Sequence, residues 1–213
     1  MRSIVNSAVP DSTAATSIVC LPGAYHTPED FLVAGFDASV RRRRLPIDLI
    51  FVDVEMQHLG DRSAVARLHE QIVLPSRARG CETLWFLGIS LGGFIALDYA
   101  SKHREAVDGI CVLAPYLGNR ILTGEIAQIG LRHWSSGGPD ELDEERRLWS
   151  FLQAQEGASR FLHLGFGQQD RFAEAHRLMA TTLSPEAVDV VPGGHDWNTW
   201  RILWERFLDA KFA

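Results

Sequence analysis

The chain has 213 residues, of which 46% are hydrophobic and 23% charged, and its formal net charge is −6. This length and composition are typical of one globular domain, while the acidic balance disfavours nucleic acid and anionic membrane surfaces as partners. No apolar run approaches the ~20 residues of a membrane span, and the first residues lack the apolar centre of a signal peptide. Cys20, Cys81 and Cys111 form no spaced framework, which favours buried thiols in a reducing compartment. We therefore expect a cytoplasmic protein with residues 1–213 in a single domain.

Apolar periodicity along the chain predicts alternating strands and helices after an irregular start. The predicted elements are, in chain order, a strand at 17–21, a helix at 28–42, a strand at 47–54, a helix at 61–79, a strand at 83–87, a helix from 94, a strand at 109–114, a helix at 142–155, a strand ending near 166, a helix at 171–181, a strand from 188 and a helix at 197–210. Strands separated by helices imply right-handed crossovers and a mostly parallel sheet covered on both faces. The predicted fold class is α/β, with about six strands and a short lid-like segment at about 116–159.

The fifth and sixth predicted elements flank the most informative motif, Gly88-Ile89-Ser90-Leu91-Gly92. A serine between two glycines, where a strand turns sharply into a helix, is the arrangement of a nucleophile elbow. The tight turn needs small residues two positions before and after the serine, and Gly88 and Gly92 meet that demand. The motif predicts that the Ser90 hydroxyl is lifted clear of the sheet, within reach of a base and a substrate.

Two later loops supply the groups that such a serine needs. A glycine-containing loop after the strand near 166 ends in Asp170, and a proline-glycine turn after the strand from 188 delivers His195. A histidine accepts and returns protons near neutral pH, and an aspartate on its other ring nitrogen fixes the tautomer. The chain order Ser90, Asp170, His195 is the order of the α/β-hydrolase triad.

On these residues the chain resembles the α/β-hydrolase superfamily from about residue 16 to its end, and its elbow and Gly-Gly-His-Asp-Trp segment resemble those of small serine esterases and thioesterases. The six predicted strands are fewer than the usual eight of this superfamily, so we expect the first hairpin of the fuller fold to be missing here. The resemblance implies an oxyanion hole made by the backbone N–H of Leu91 and by a donor from the loop after the first strand. That loop reads Pro-Gly where the superfamily has His-Gly, and by position Ala24 is favoured as the second donor, with Tyr25 next.

Several of these residues have structural alternatives. Asp170 and Asp196 are each placed where an aspartate caps a helix, and Asp196 is too close to His195 in sequence to orient it. His26 lies beside the expected oxyanion loop, and His176 is predicted at a surface or loop position. The arginine run 41–44 fits cations at a helix C-terminus better than a nucleic-acid site.

The substrate is indicated only in outline. In the lid-like segment, Tyr116, Trp134 and Trp149 are the candidates for an apolar wall over the serine, which suggests a small to medium acyl group. The sequence shows no metal-ligand spacing and no phosphate loop, so we expect neither a metal nor a nucleotide cofactor.

Three functional hypotheses follow. The first is a hydrolase that cleaves a carboxylic ester or thioester through an acyl-enzyme on Ser90. The second is a non-catalytic ligand-binding protein that kept the fold. The third is an acyltransferase or carbon–carbon hydrolase that uses the same three side chains.

Overall fold

A computed structural model describes residues 1–8, 13–55, 60, 62–137, 143–154 and 161–212. Seven strands form one sheet in the order β1-β3-β2-β4-β5-β6-β7. The strands are β1 Ser3–Asn6, β2 Thr16–Leu21, β3 Ile47–Val52, β4 Thr83–Ile89, β5 Gly109–Leu113, β6 Leu162–Gly167 and β7 Val188–Val191. All neighbouring pairs are parallel except β1 with β3. The predicted α/β class with a mostly parallel sheet is therefore confirmed.

Helices cover both faces of the sheet. In the described part of the chain they are α1 Pro28–Val33, α2 Phe36–Arg43, α3 (Ala64–Leu68, the π-helical turn His69–Val73, and Leu74–Ala78), α4 Leu91–Lys102, α5 Arg120–Ile129, α6 Glu144–Ala154, α7 Ala173–Ala180 and α8 Trp197–Phe212. Residues of β3, β5 and β6 are buried throughout, because each of these strands has helices on both sides. This burial explains why the strands read as continuous apolar runs rather than alternating ones.

The start of the chain, which was expected to be irregular, forms a seventh strand. Residues Ser3–Asn6 pair antiparallel with β3, Ser3 opposite Val52 and Asn6 opposite Leu49. This edge strand alternates between exposed and half-buried positions, so its four residues carry little apolar signal. Its partner is more than forty positions away, a pairing that no local pattern can indicate.

Two helical predictions also change in detail. The predicted helix at 28–42 is broken at Gly35, which adopts a left-handed conformation (φ 79°) between α1 and α2. The lid-like segment contains α5, which the sequence analysis did not predict, and α6 within the predicted helix at 142–155, whose two end residues lie outside the described part. Among the residues described, no helix is both long and apolar enough to cross a membrane.

The arginine run ends α2 and contacts the last helix. Arg42 lies 3.1 Å from Glu205, and Arg43 donates to Asp209 over 2.6 Å. The arginine run therefore serves the contact between α2 and α8. It lies at the end of α2 that leads into the start of β3.

Candidate active site

Ser90 occupies the turn between β4 and α4 in a strained backbone conformation (φ 50°, ψ −112°). A positive φ is unfavourable for a residue with a Cβ, so the surrounding structure has to hold it. Ser90 N–H donates to the Leu113 carbonyl over 3.0 Å, and the Ser90 carbonyl accepts from Tyr116 N–H over 2.8 Å. The neighbouring strand β5 and the chain that leaves it therefore clamp the turn from both sides.

Glycine is required on both sides of the serine for a steric reason. A Cβ on Gly88 would collide with the backbone of Gly92, and a Cβ on Gly92 would collide with the Leu21 carbonyl. The first turn of α4 thus packs directly against the end of β2. The sharp turn that the motif predicts is the turn that forms.

The structure brings the three candidate catalytic side chains together at the carboxyl ends of β4, β6 and β7. Ser90 Oγ is 3.0 Å from His195 Nε2, and His195 Nδ1 is 2.8 Å from Asp170 Oδ2. With its proton on Nδ1, the imidazole donates to Asp170 and accepts the serine hydroxyl. This is the geometry of a nucleophile, a base and an orienting carboxylate.

Asp170 is held ionised in a buried position. Burial opposes its ionisation, but hydrogen bonds from His195 and from the Phe172 N–H (2.8 Å) outweigh that effect, and the pKa of the carboxyl lies below its usual value. One oxygen faces the imidazole and the other holds the start of the segment that leads into α7. The carboxylate therefore takes both the orienting position and the cap-like position that the sequence offered as alternatives.

Asp196 serves only as a helix cap. Its Oδ1 accepts from the Thr199 N–H over 3.0 Å and so caps the first turn of α8.

Two aromatic rings enclose the candidate base, and the sequence analysis did not identify this role. Phe172 and Trp200 meet the His195 imidazole edge to face, at centroid distances of 5.3 and 5.1 Å. They limit the rotation of the ring while its Nε2 faces Ser90. In the sequence, Trp200 follows Trp197 at helical spacing on α8. This spacing is typical of an ordinary core-facing helix surface and does not indicate a contact with His195.

The expected oxyanion loop lies where a second donor is needed. A Cβ built on Gly23 would stand 3.4 Å from the Ser90 Cβ, so the loop passes directly beside the serine. Within the described residues the N–H groups of Leu91, Ala24 and Tyr25 donate to no acceptor. Tyr25 adopts a positive φ of 64° and its side chain is exposed, so only its backbone belongs to the site.

His26 lines the same side of the site. Its ring packs against Trp197 and Trp200 at 5.1 and 5.9 Å, and its buried Nδ1 has no hydrogen-bond partner among the residues described. The expectation that His26 lies beside the oxyanion loop agrees with this placement.

Of the three predicted wall residues, the structure places only Tyr116 beside Ser90. Trp149 is fully buried and donates to the Leu117 carbonyl, and Trp134 is buried and donates to Glu125. Both indoles anchor the lid-like helices to the core, so their assignment to a substrate wall is corrected. Their apolar character reflects packing.

His176 is also corrected, because it is completely buried rather than at the surface. Its Nε2 donates to the Pro115 carbonyl over 2.9 Å, next to the Tyr116 N–H that holds Ser90. Burial lowers its pKa to about 4, despite the opposing effects of that hydrogen bond and of Asp170. A neutral imidazole thus supports the loop beneath the site.

Of the residues with described positions, no three His, Cys, Asp or Glu side chains form a group that could hold a metal ion. The three cysteines are buried and unbonded. Asp53, which follows the carboxyl end of β3, accepts from Arg2 over 3.0 Å.

Comparison with known proteins gives one family match. A family model described as "Alpha/beta hydrolase family" matches residues 18–210. A search of curated proteins found no match to this chain.

Solved structures share the fold at low sequence identity. A predicted CIB-like hydrolase from Thermoplasma acidophilum superposes with a TM-score of 0.61 at 19% identity, covering 97% of this chain and 92% of that one. The S-formylglutathione hydrolase FrmB from Staphylococcus aureus gives 0.60 at 12% identity, covering 94% and 83%. Est1E from Butyrivibrio proteoclasticus gives 0.57 at 14% identity, covering 98% and 93%.

Proposed function

Because the chain belongs to the α/β hydrolase family, we propose that it is a serine hydrolase that cleaves a carboxylic ester or thioester through an acyl-enzyme on Ser90. The observation that carries the proposal is the continuous hydrogen-bonded path from the Ser90 hydroxyl through His195 to Asp170. An isolated serine hydroxyl is a weak nucleophile, and a base at hydrogen-bond distance activates it.

In the proposed first half-reaction, Ser90 Oγ attacks the acyl carbon while His195 Nε2 takes its proton. Asp170 stabilises the imidazolium without taking the proton itself. The imidazolium then gives this proton to the departing alcohol or thiol, and the acyl group stays on Ser90. In the second half-reaction water attacks the acyl carbon, its proton passes to His195, and Ser90 leaves with that proton.

The oxyanion formed in each step needs donors fixed before the reaction. We assign one to the Leu91 N–H at the start of α4 and the second to Ala24 or Tyr25, since these N–H groups donate to no acceptor among the described residues. A single donor of this kind typically contributes about 3 kcal/mol to the transition state. The names of fold relatives, an S-formylglutathione hydrolase and a ferulic acid esterase, agree with acyl chemistry on this scaffold.

The test is intact-mass spectrometry after treatment with a reactive fluorophosphonate. We expect one stoichiometric adduct on the parent protein and none on Ser90→Ala, because the Ser90 hydroxyl has an aligned base in His195. Ser101→Ala is the matched control: its hydroxyl donates to the Asp98 backbone carbonyl in α4 and not to a histidine, and labelling should persist.

Labelling of Ser90→Ala at the parent rate would contradict the proposal. No adduct on the parent either would favour the ligand-binding alternative. Exclusive transfer of the acyl group to an added alcohol or amine, rather than to water, would favour an acyltransferase.

A further inference from the structure

A groove of about 690 Å³ lies between α5 and α7, on the Asp170 side of the candidate active site. Its floor is open because α5 presents small residues there, and a Cβ on Gly124 would meet nothing within 4 Å. The groove is large enough for part of a small-molecule substrate.

Three arginines line this groove, in a chain whose net charge is negative. Arg120 begins α5, Arg171 follows Asp170, and Arg177 lies on α7, and all three are exposed. None forms an ion pair with a carboxylate of the described residues, whereas Arg2, Arg41, Arg42, Arg43, Arg77 and Arg146 all do. Arg171 stacks on the Phe172 ring at 4.9 Å, and Arg177 donates only to the Gln168 carbonyl.

Three carboxylates near the groove offset part of this positive charge, but among the described residues none of them forms an ion pair with Arg120, Arg171 or Arg177. Asp170 is committed to His195, and Glu145 accepts from the Tyr116 hydroxyl and from Asn119. Glu174 is the one exposed carboxylate among the residues that line the groove. The N-terminal ends of α5 and α7 add partial positive charge at the same place.

The groove adjoins the candidate catalytic residues through shared side chains. Phe172 lines the groove and also meets the His195 ring at 5.3 Å. Leu117 lines it too, one residue after the Tyr116 N–H that holds the Ser90 carbonyl. One side chain, Phe172, therefore separates the groove from the imidazole that faces Ser90.

We propose that this groove binds an anionic group of the substrate, a carboxylate or a phosphate, so that the enzyme prefers anionic esters or thioesters to neutral ones of the same shape. The inference rests on the proposed function for its reaction but names a property of the substrate that the candidate triad does not determine. Arginine suits such a role because its planar guanidinium matches both oxyanions.

The experiment compares charged and uncharged substrates of matched shape. The acyl-side pair is mono(4-nitrophenyl) glutarate and its 4-nitrophenyl glutaramate analogue, and the leaving-group pair is 4-acetoxybenzoate and 4-acetoxybenzamide. A third charged substrate, 4-acetoxyphenyl phosphate, tests phosphate. We expect the parent to favour the charged member of at least one substrate pair in kcat/KM by about threefold to tenfold. The effect is moderate because the ion pairs between the arginines and the substrate would be partly exposed to water. The pair that shows the preference identifies the end of the substrate that carries the anion.

The variants assign the preference to the groove. Arg120→Gln and Arg177→Gln should each lower the charged-to-uncharged ratio toward one, Arg120→Lys should retain part of it, and Glu174→Gln should raise it. Raising the salt concentration should lower the parent's ratio, because exposed charges are screened. Arg42→Gln is the control, since Arg42 pairs with Glu205 at the opposite edge of the sheet, and its ratio should equal the parent's.

A second readout separates this inference from the proposed function. The affinity of the Ser90→Ala protein for the two members of each substrate pair is measured by isothermal titration calorimetry, which needs no turnover. Tighter binding of the charged member that is lost in Ser90→Ala/Arg120→Gln supports the groove even if the parent hydrolyses nothing. Equal binding and equal kcat/KM for the two members of every pair would overturn the inference. A preference that neither Arg120→Gln nor Arg177→Gln changes would also overturn it.

Discussion

At the residue scale, the site depends on a buried imidazole that takes no part in the proposed chemistry. His176 supports Pro115, and the adjoining Tyr116 N–H holds the strained Ser90. Its desolvation keeps the imidazole neutral and lowers its pKa to about 4. The unfolded chain, with an ordinary histidine pKa near 6.5, binds a proton at a higher pH than the folded protein does.

This difference predicts the sign of a pH effect on stability. As pH falls from about 6.5 towards 4, the unfolded chain gains a proton that the folded protein excludes, so the free energy of unfolding falls by at most about 1.4 kcal/mol per pH unit from this group. His176→Gln keeps a donor for Pro115 and removes the titration. We expect its free energy of unfolding, measured by urea titration between pH 7 and 4, to decline less steeply than the parent's.

His133→Gln is the matched control, because the His133 side chain is exposed. Its curve should follow the parent's. Parallel curves for the parent and His176→Gln would refute the assignment.

At the element scale, the tryptophans of the lid-like segment anchor it to the core and do not line a substrate wall. Trp149 of α6 donates to the Leu117 carbonyl over 2.7 Å, and Trp134 donates to Glu125 over 2.8 Å. The partner of Trp149 is a backbone carbonyl within the core, whereas Glu125 also accepts from Arg146. The two indoles therefore differ in what their removal leaves behind.

Replacing each indole with phenyl isolates that difference. Trp149→Phe leaves the Leu117 carbonyl without its donor, and we expect it to lower the free energy of unfolding by roughly 1–3 kcal/mol beyond the loss from the smaller ring. Trp134→Phe loses the same volume but leaves Glu125 paired with Arg146, so its loss should be smaller. Both values come from denaturant unfolding followed by circular dichroism. Equal losses would mean that the Trp149 hydrogen bond contributes nothing specific.

At the scale of the whole molecule, the parallel sheet gathers residues that are far apart in sequence. Ser90 and His195 are separated by 105 positions, yet both follow strands whose carboxyl ends lie at one edge of the sheet. At the side of the sheet, β1 runs antiparallel to β3 and pairs with the backbone groups that β3 would otherwise expose.

Deletion of residues 1–6 tests the contribution of that edge strand. The deletion exposes the unpaired edge of β3, and we expect a lower melting temperature and concentration-dependent aggregation on heating. Thermal unfolding with simultaneous light scattering measures both. Arg2→Gln keeps the strand while it removes the ion pairs of the exposed Arg2 side chain with Glu29 and Asp53, so it should change little. A truncated protein with the parent's melting temperature and no aggregation would show that β1 is dispensable.

Features whose physical causes are local could be predicted from the amino-acid sequence. Periodicity indicated six of the seven strands, because buried parallel strands are continuous apolar runs, and Gly88 and Gly92 predicted the sharp turn because only glycine fits there. The order Ser90, Asp170, His195 identified the three side chains that the fold brings within hydrogen-bond distance.

Features that depend on distant partners became visible in the folded chain. The tertiary structure showed that β1 completes the sheet, that Trp134 and Trp149 face the core, and that His176 is buried under the site. It also brought Arg120 of α5 and Arg177 of α7 to one groove. Local patterns report whether a side chain is apolar or charged, but what it packs against is set by the long-range arrangement of strands and helices.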